Sequence, residues 1–226
     1  MSDVRSPRWI RTDAGSDLLN SLEHCLLCFT LARSDERNWK WCVAAAHSAA
    51  QIAMVMVLVN AQQYEHLTTR SRKALLAHFE RSRTDAGAQE PDTKLAPFMD
   101  LYDACMQRLP EGSATPDHRR DVRRLNSLRN HWTHFGEDGS SVSVGLARIA
   151  VRAGIKLVVE LSPTSSSGLY RNRTDEARHE VAISSLLRLL AAAEADDAAP
   201  TDDDDDAQYA ELEARFAALD DDERED

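Results

Sequence analysis

Residues 115 to 136 read TPDHRRDVRRLNSLRNHWTHFG, and this stretch carries both the start and the stop signals of a helix. Thr115 can cap a helix, Pro116 suits its first position, and Gly136 suits the left-handed residue that often ends one. At about 100° per residue the apolar side chains share one broad arc, formed by Val122, Leu125, Leu128, Trp132 and Phe135. The stretch therefore predicts a helix of about five turns with one face in a core.

A second arc of this helix, roughly opposite the apolar one, is polar. It holds Arg119, Arg123, Asn126, Asn130 and His134, and Arg129 lies at its border. Arg129 and His134 would point roughly 140° apart on an ideal helix, so they converge on one ligand only if the last turn loosens or a second surface contributes. Taken singly, these residues are typical of a solvated face, and His134 would complement the helix dipole near its C-terminal end.

The polar set as a whole resembles a known signature. The segment LNSLRNHWTHF, with Arg129, Asn130 and His134 in the order RNHWTH, resembles the Arg-x4–6-His signature of the HEPN superfamily, the higher eukaryotes and prokaryotes nucleotide-binding domains. The resemblance implies an all-α bundle that dimerises with the signature helices of two protomers facing one another. It also implies a metal-independent endoribonuclease without cofactors, of the kind that serves as a toxin of a toxin–antitoxin system or as an antiviral defence effector.

On that resemblance, His134 would be the general base toward the 2′-hydroxyl of RNA or the general acid toward the leaving 5′-oxygen, because imidazole titrates near neutrality. Arg129 would bind the scissile phosphate and stabilise its transition state, and Asn130 would orient the phosphate or the partner's histidine. The product would carry a 2′,3′-cyclic phosphate. Arg119, Arg123 and Asn126 share the polar arc and are the expected contacts to the RNA backbone.

Two other interpretations stay open. One is a catalytically silent HEPN-like module that binds a nucleotide or a protein partner, and the other is an unrelated bundle with a chance motif. Some HEPN toxins carry a tyrosine two positions after the histidine, which a partner nucleotidyltransferase modifies. Gly136 stands at that position here, so no particular antitoxin or regulatory protein follows from the sequence.

The rest of the chain is predicted to be an all-α, antiparallel helical bundle. Apolar periodicity and short polar breaks indicate helices over residues 16–33, 38–61, 71–81, 95–109 and 175–193. The second of these contains AHSAAQIAMVMVL, which resembles the second helix of HEPN domains, and it should be the most buried. Residues 145–161 suit either a helix or, at 156–161, a strand; we favour the helix, in which Gly154 costs about 1 kcal/mol relative to alanine.

The predicted domains follow from these patterns. Residues 1–15 form a flexible N-terminus, residues 16–193 form the HEPN-like helical domain with a core at 16–136 and an extension at 140–193, and residues 194–226 form an acidic, disordered tail. The tail holds 16 acidic and 2 basic residues and a possible short helix at 208–219. The remaining chain holds 25 basic and 22 acidic residues, so the net charge of −11 does not exclude an RNA substrate.

The cysteines and the apolar segments point to a reduced, cytoplasmic protein. Cys25, Cys28, Cys42 and Cys105 lie in apolar helical patterns and no secretion signal precedes them. Cys25 and Cys28 have the CxxC spacing but no second CxxC follows, so core packing is favoured over a metal site with nearby histidines. His47 and Gln51, four apart on the second helix, are interpreted as buried polar groups satisfied by neighbours in preference to a role in the active site. The apolar run at 52–59 is too short for a membrane span.

Overall fold

The computed structural model describes residues 13–60, 64–110, 115–133, 142–165, 173–196 and Ala210. Within these residues the chain is helical without strands, as predicted, and the favoured helix at 145–161 is confirmed. A 3-10 turn at Glu36–Asn38 joins the first two helices. The part of the chain that the structure describes has seven α-helices: α1 Ala14–Ala32, α2 Trp39–Asn60, α3 Thr69–Ser82, α4 Phe98–Met106, α5 Pro116–Thr133, α6 Val144–Ser165 and α7 Arg173–Asp196. The predicted helix at 208–219 lies outside the described residues, apart from Ala210.

Helix boundaries follow local capping chemistry. The side chain of Asp13 accepts from the backbone N–H of Ser16 at 3.0 Å and caps α1, which therefore begins at Ala14, two residues before the predicted start. The helix predicted at 95–109 is shorter, because Pro97 precedes its first residue and Leu95 pairs with Leu67 in an isolated β-bridge. After α4 the backbone forms 3-10-type hydrogen bonds between residues three apart, the first from the Arg108 N–H to the Cys105 carbonyl at 2.9 Å.

α2 is the central helix of the bundle, and it contacts α1, α4, α5 and α6. α1 and α2 form an antiparallel hairpin, in which Phe29 meets Trp39 edge to face at 5.0 Å between ring centroids and the Cys25 and Cys42 sulfurs lie 3.6 Å apart. α5 and α6 are also antiparallel neighbours. The α6 residues Leu146, Ile155, Leu157 and Leu161 are fully buried in the same core cluster as the α1 and α2 residues.

Gly154 explains how α6 approaches its neighbours so closely. A Cβ atom at this position would lie 2.8 Å from Leu125 Cδ2 on α5 and 3.2 Å from the Ala46 carbonyl oxygen on α2. The absence of a side chain therefore lets three helices meet at one point. The sequence predicted that glycine makes this helix less stable than alanine would, and the close packing of the three helices offsets that loss.

The apolar run at 52–59 belongs to a longer segment, Glu36–Val59, which has the length and composition of a membrane span, contrary to the prediction from the sequence. This segment has 24 residues, and its most apolar window has a mean hydropathy of 1.9. Because 61% of that window is buried inside the bundle, its apolar character is accounted for by core packing.

Candidate functional site

The C-terminal half of α5 presents the polar residues singled out from the sequence. Val122, Leu125 and Leu128 are fully buried, as the apolar arc predicts. Asn126, Arg129 and Asn130 are half-buried and lie three and four residues apart, which places them as neighbours on one side of the helix. The structure thus brings together three of the predicted site residues, and we call these three side chains the donor set.

His47 of α2 holds the first member of the donor set. His47 Nε2 lies 3.1 Å from Asn126 Oδ1. An amide oxygen can only accept a hydrogen bond, so His47 Nε2 carries the hydrogen and donates it. Because the Asn126 oxygen faces His47, its amide nitrogen points away from His47. This Nδ2 makes no hydrogen bond to the described part of the chain.

Arg129 and Asn130 repeat this arrangement one turn further along. Arg129 Nη1 donates to Asn130 Oδ1 at 3.0 Å. The oxygen of the second amide is therefore also occupied, and its Nδ2 donates no hydrogen bond within the described residues. The guanidinium has five N–H groups, of which this contact uses one.

The donor set therefore offers hydrogen-bond donors and few acceptors. Both amide oxygens are engaged inside the site, and the guanidinium has no acceptor atom and stays charged at every physiological pH. Such a set suits an anion with several oxygen atoms, and a phosphate is the anion that a planar guanidinium recognises well.

His47 is a neutral positioning residue. Burial, with a smaller contribution from the nearby Arg129 charge, lowers its pKa from 6.5 to about 4, while the hydrogen bond to Asn126 opposes the shift. The Phe98 ring stacks on the imidazole, at 4.1 Å between ring centroids, and covers one face of it. His47 is thus uncharged near neutral pH, buried, and used to orient Asn126.

The predicted catalytic histidine, His134, lies outside the described residues, as do Phe135 and Gly136. α5 is described to Thr133, whose hydroxyl donates to the Arg129 carbonyl at 2.7 Å. The convergence of Arg129 with His134 accordingly stays a prediction.

The predicted RNA contacts at the start of α5 are differently placed. Arg119 forms two hydrogen bonds to the Asp103 carboxylate of α4, at 2.8 and 3.1 Å, and this pairing raises the pKa of its guanidinium. Asp103 thus already occupies Nε and Nη2 of this guanidinium, and a phosphate would compete with it there. Arg119 also lies seven residues before Asn126, roughly 10 Å along the helix axis. Arg123 is half-buried between them.

The cysteines lie in the core. All four are buried free thiols, and burial raises the pKa of Cys28. His24, beside the CxxC spacing, is exposed, whereas Cys25 packs against Cys42. Among the described residues, no three histidine, cysteine or carboxylate side chains converge in a metal-binding arrangement.

Sequence reasoning missed the part that His47 and Phe98 play beside the donor set. It interpreted His47 as a buried polar group satisfied by a neighbour, and the bond to Asn126 is such a contact. The signal that could have led further was a histidine inside the most apolar helix, because a buried imidazole must find a partner. Nothing local in the sequence indicates which residue that partner is.

The chain was compared with family models, with curated proteins and with solved structures, and none of the three comparisons found a match.

Proposed function

We propose that this protein is a metal-independent endoribonuclease of HEPN type, which cuts RNA through attack of the 2′-hydroxyl on the adjacent phosphate. The observation that supports the proposal is the donor set, in which Arg129 and two amides with occupied oxygens lie together on α5. The residues just beyond it include His134, which completes the Arg-x4-His spacing.

The chemistry assigns a role to each residue. Arg129 binds a non-bridging oxygen of the scissile phosphate and stabilises the charge that builds up in the transition state. Asn126 and Asn130 donate amide hydrogens to the remaining phosphate oxygens. His134 takes the proton from the 2′-hydroxyl or gives one to the leaving 5′-oxygen, and the product ends in a 2′,3′-cyclic phosphate. Because the substrate supplies its own nucleophile, the step needs no cofactor.

A homodimer suits this mechanism, because Arg129 and His134 of one helix point in different directions on ideal helical geometry. In a dimer with facing α5 helices, the Arg129 of one protomer and the His134 of the other would act on the same phosphate. We place the protein in the cytoplasm, where RNA is the substrate and a regulatory protein restrains the activity.

The second candidate is a silent module that binds a nucleotide or another phosphate-bearing partner without cutting it. The observation in its favour is that the donor set suffices to bind an anion, while His47, the histidine described beside it, is buried and neutral. Both candidates need Arg129. Only the nuclease also needs His134.

The deciding experiment is cleavage of a mixed-sequence RNA by the purified protein in EDTA. Wild type is compared with Arg129→Ala, His134→Ala and the control Arg37→Ala, whose side chain is 91% exposed and paired with Asp35. We expect a loss of about 10²–10³-fold for Arg129→Ala and about 10²–10⁴-fold for His134→Ala, with cyclic phosphate ends in the remaining product. The control should cut like wild type.

Other results would change the conclusion. If wild type is inert but binds RNA or a nucleotide through Arg129, the silent module is the better description. Equal cleavage by all four proteins would identify a contaminating nuclease. As a test of the proposed toxin or antiviral role, induced expression should stop growth for wild type but not for His134→Ala, and equal growth of the two strains would contradict that role.

A further inference from the structure

α3 is the helix least enclosed by the bundle. Ser71 and Leu75 are its buried residues, and Leu76 and Phe79 are 49% and 41% exposed. Its first turn is anchored by hydrogen bonds around Ser71, whose hydroxyl accepts from the Lys94 N–H at 2.9 Å and from the Thr68 hydroxyl at 3.0 Å. The rest of the helix presents most of its surface to solvent.

The exposed side of α3 is strongly cationic. Thr69–Ser82 holds four cations, Arg70, Arg72, Lys73 and Arg81, against one acid, Glu80. Within the described residues none of the four forms an ion pair. Glu80 lies on the same side but pairs with Arg83 at 3.1 Å. This pattern contrasts with α5, where Arg119, Arg120 and Arg124 are all paired with aspartates.

Helical spacing divides the surface into two stripes. Arg70, Lys73 and Arg81 fall within roughly 80° of arc on an ideal helix, and all three are exposed. Leu76 and Phe79 form a neighbouring apolar stripe. Phe79 continues into an aromatic cluster with Tyr64 at 5.8 Å and His78 at 5.9 Å between ring centroids, and His66 lies 6.4 Å from Tyr64.

The base of α3 is linked to the donor set by successive contacts. The Ala96 N–H donates to the His66 carbonyl at 2.9 Å. Two residues later, Phe98 stacks on His47, and His47 holds Asn126. A series of direct contacts thus connects the base of α3 with the donor set.

We propose that α3 is a binding surface for single-stranded RNA, in which Arg70, Lys73 and Arg81 contact backbone phosphates and Phe79 stacks on a base. This inference rests on the proposed function, because it makes α3 the surface that guides RNA to the donor set. Unpaired cations attract phosphates, and an exposed aromatic ring beside them offers the stacking platform that single strands use. RNA binding accordingly depends more on α3 than on the paired arginines at the start of α5.

The test measures binding separately from cutting. The probe is a fluorescent 2′-O-methyl RNA of mixed sequence, which lacks the attacking hydroxyl, titrated with the full chain at several salt concentrations. The variant R70Q/K73Q/R81Q is compared with the control R33Q/K156Q/R188Q, which removes the same charge at exposed positions of other elements. Circular dichroism checks that both variants stay folded.

We expect the α3 variant to bind at least about tenfold more weakly at low salt, and its salt slope to fall by about 2. The control should bind within about twofold of wild type. Phe79→Ala should weaken binding about tenfold with an unchanged salt slope, since stacking releases no counterions.

The proposal that α3 binds RNA is overturned if both triple variants lose affinity equally, because such a loss reflects net charge alone. It is also overturned if neither triple variant loses affinity. It is also overturned if R70Q/K73Q/R81Q loses binding to phosphatidylserine vesicles while its affinity for RNA is unchanged. If wild type cuts RNA and the α3 variant keeps its affinity, this inference alone fails. If wild type cuts nothing while the α3 variant loses affinity selectively, the nuclease proposal fails and the RNA surface stands.

Discussion

At the scale of single residues, the hydrogen bonds that buried polar groups make or lack affect the stability of the protein and its pH dependence. His47 hydrogen-bonds to Asn126 and stacks against the Phe98 ring. Tyr102 and His118, by contrast, meet edge to face at 5.9 Å, and neither the tyrosine hydroxyl nor the ring nitrogens have a hydrogen-bond partner in the described part of the chain. Substitutions at the two sites should therefore change different properties, the pH dependence of stability at His47 and stability itself at Tyr102.

His47 should make the protein less stable in mild acid. At pH 5 the unfolded chain binds a proton at this residue and the folded chain does not, because the pKa is lowered from 6.5 to about 4. Stability is therefore present above pH 6.5 and falls as the pH drops toward 4, by about 3 kcal/mol in total. Urea unfolding between pH 4 and 7 measures it. His47→Gln should lack this part of the pH dependence, and an identical profile in both proteins would contradict the assignment.

Tyr102→Phe should leave stability unchanged or raise it by about 1 kcal/mol, because it removes a buried hydroxyl that has no partner. The same burial, with the charges of Glu160 and Asp103, raises the pKa of Tyr102 to about 12. The urea midpoint gives the change, with half-buried Tyr64→Phe as the control, expected within about 0.5 kcal/mol. A loss of more than about 1 kcal/mol would mean that the hydroxyl hydrogen-bonds to water.

At the scale of elements, the contact between α2, α5 and α6 decides how closely the helices approach. Gly154 lies where all three meet, against a backbone carbonyl and a fully buried leucine. A carbonyl in the middle of a helix cannot move aside, so the space is fixed by the packing of α2.

Gly154→Ala should lower the free energy of unfolding by about 1–3 kcal/mol, even though alanine favours helices by about 1 kcal/mol over glycine. The added Cβ would meet Leu125 Cδ2 at 2.8 Å and the Ala46 oxygen at 3.2 Å. Thermal or urea unfolding checks the sign. The control is Gly145→Ala at the half-exposed start of the same helix, which should change stability little. A stabilised Gly154→Ala protein would show that the helices separate easily.

The candidate site also illustrates what helix periodicity predicts. Asn126, Arg129 and Asn130 are neighbours because three- and four-residue separations bring side chains together on any α-helix. The contribution of His47 did not follow, since it lies 79 residues away from its partner. The neutralisation of Arg119 by Asp103 also depends on how α4 packs beside α5.

At the scale of the whole molecule, charge is divided between a mildly basic body and an acidic C-terminal segment. Within the body, three arginines of α5 are paired with aspartates of α4 and α5, whereas the cations of α3 form no ion pair with the described residues. The proposed function adds a second protomer, because the predicted pair Arg129 and His134 needs another surface to act together.

Mixing two inactive variants tests that arrangement. If each site combines Arg129 of one protomer with His134 of the other, co-refolded Arg129→Ala and His134→Ala chains form one intact site per heterodimer. Activity should then recover to about a quarter of wild type, since half of the dimers are mixed and each has one of two sites. Each variant refolded alone is the control. No recovery in a mixture shown to be dimeric would place both residues of a site on one chain.

The sequence by itself determined where the helices lie, which face of α5 is apolar, and how charge is distributed along the chain. These properties depend on residues within a few positions of one another, so they can be read from composition and period. The tertiary structure alone decided that His47 orients Asn126 and that Asp103 pairs with Arg119. It also decided that three helices approach closely at Gly154 and that the α3 cations form no ion pair with the described residues. Each of these depends on which distant surfaces pack together, and burial, unlike periodicity, is a property of the whole fold.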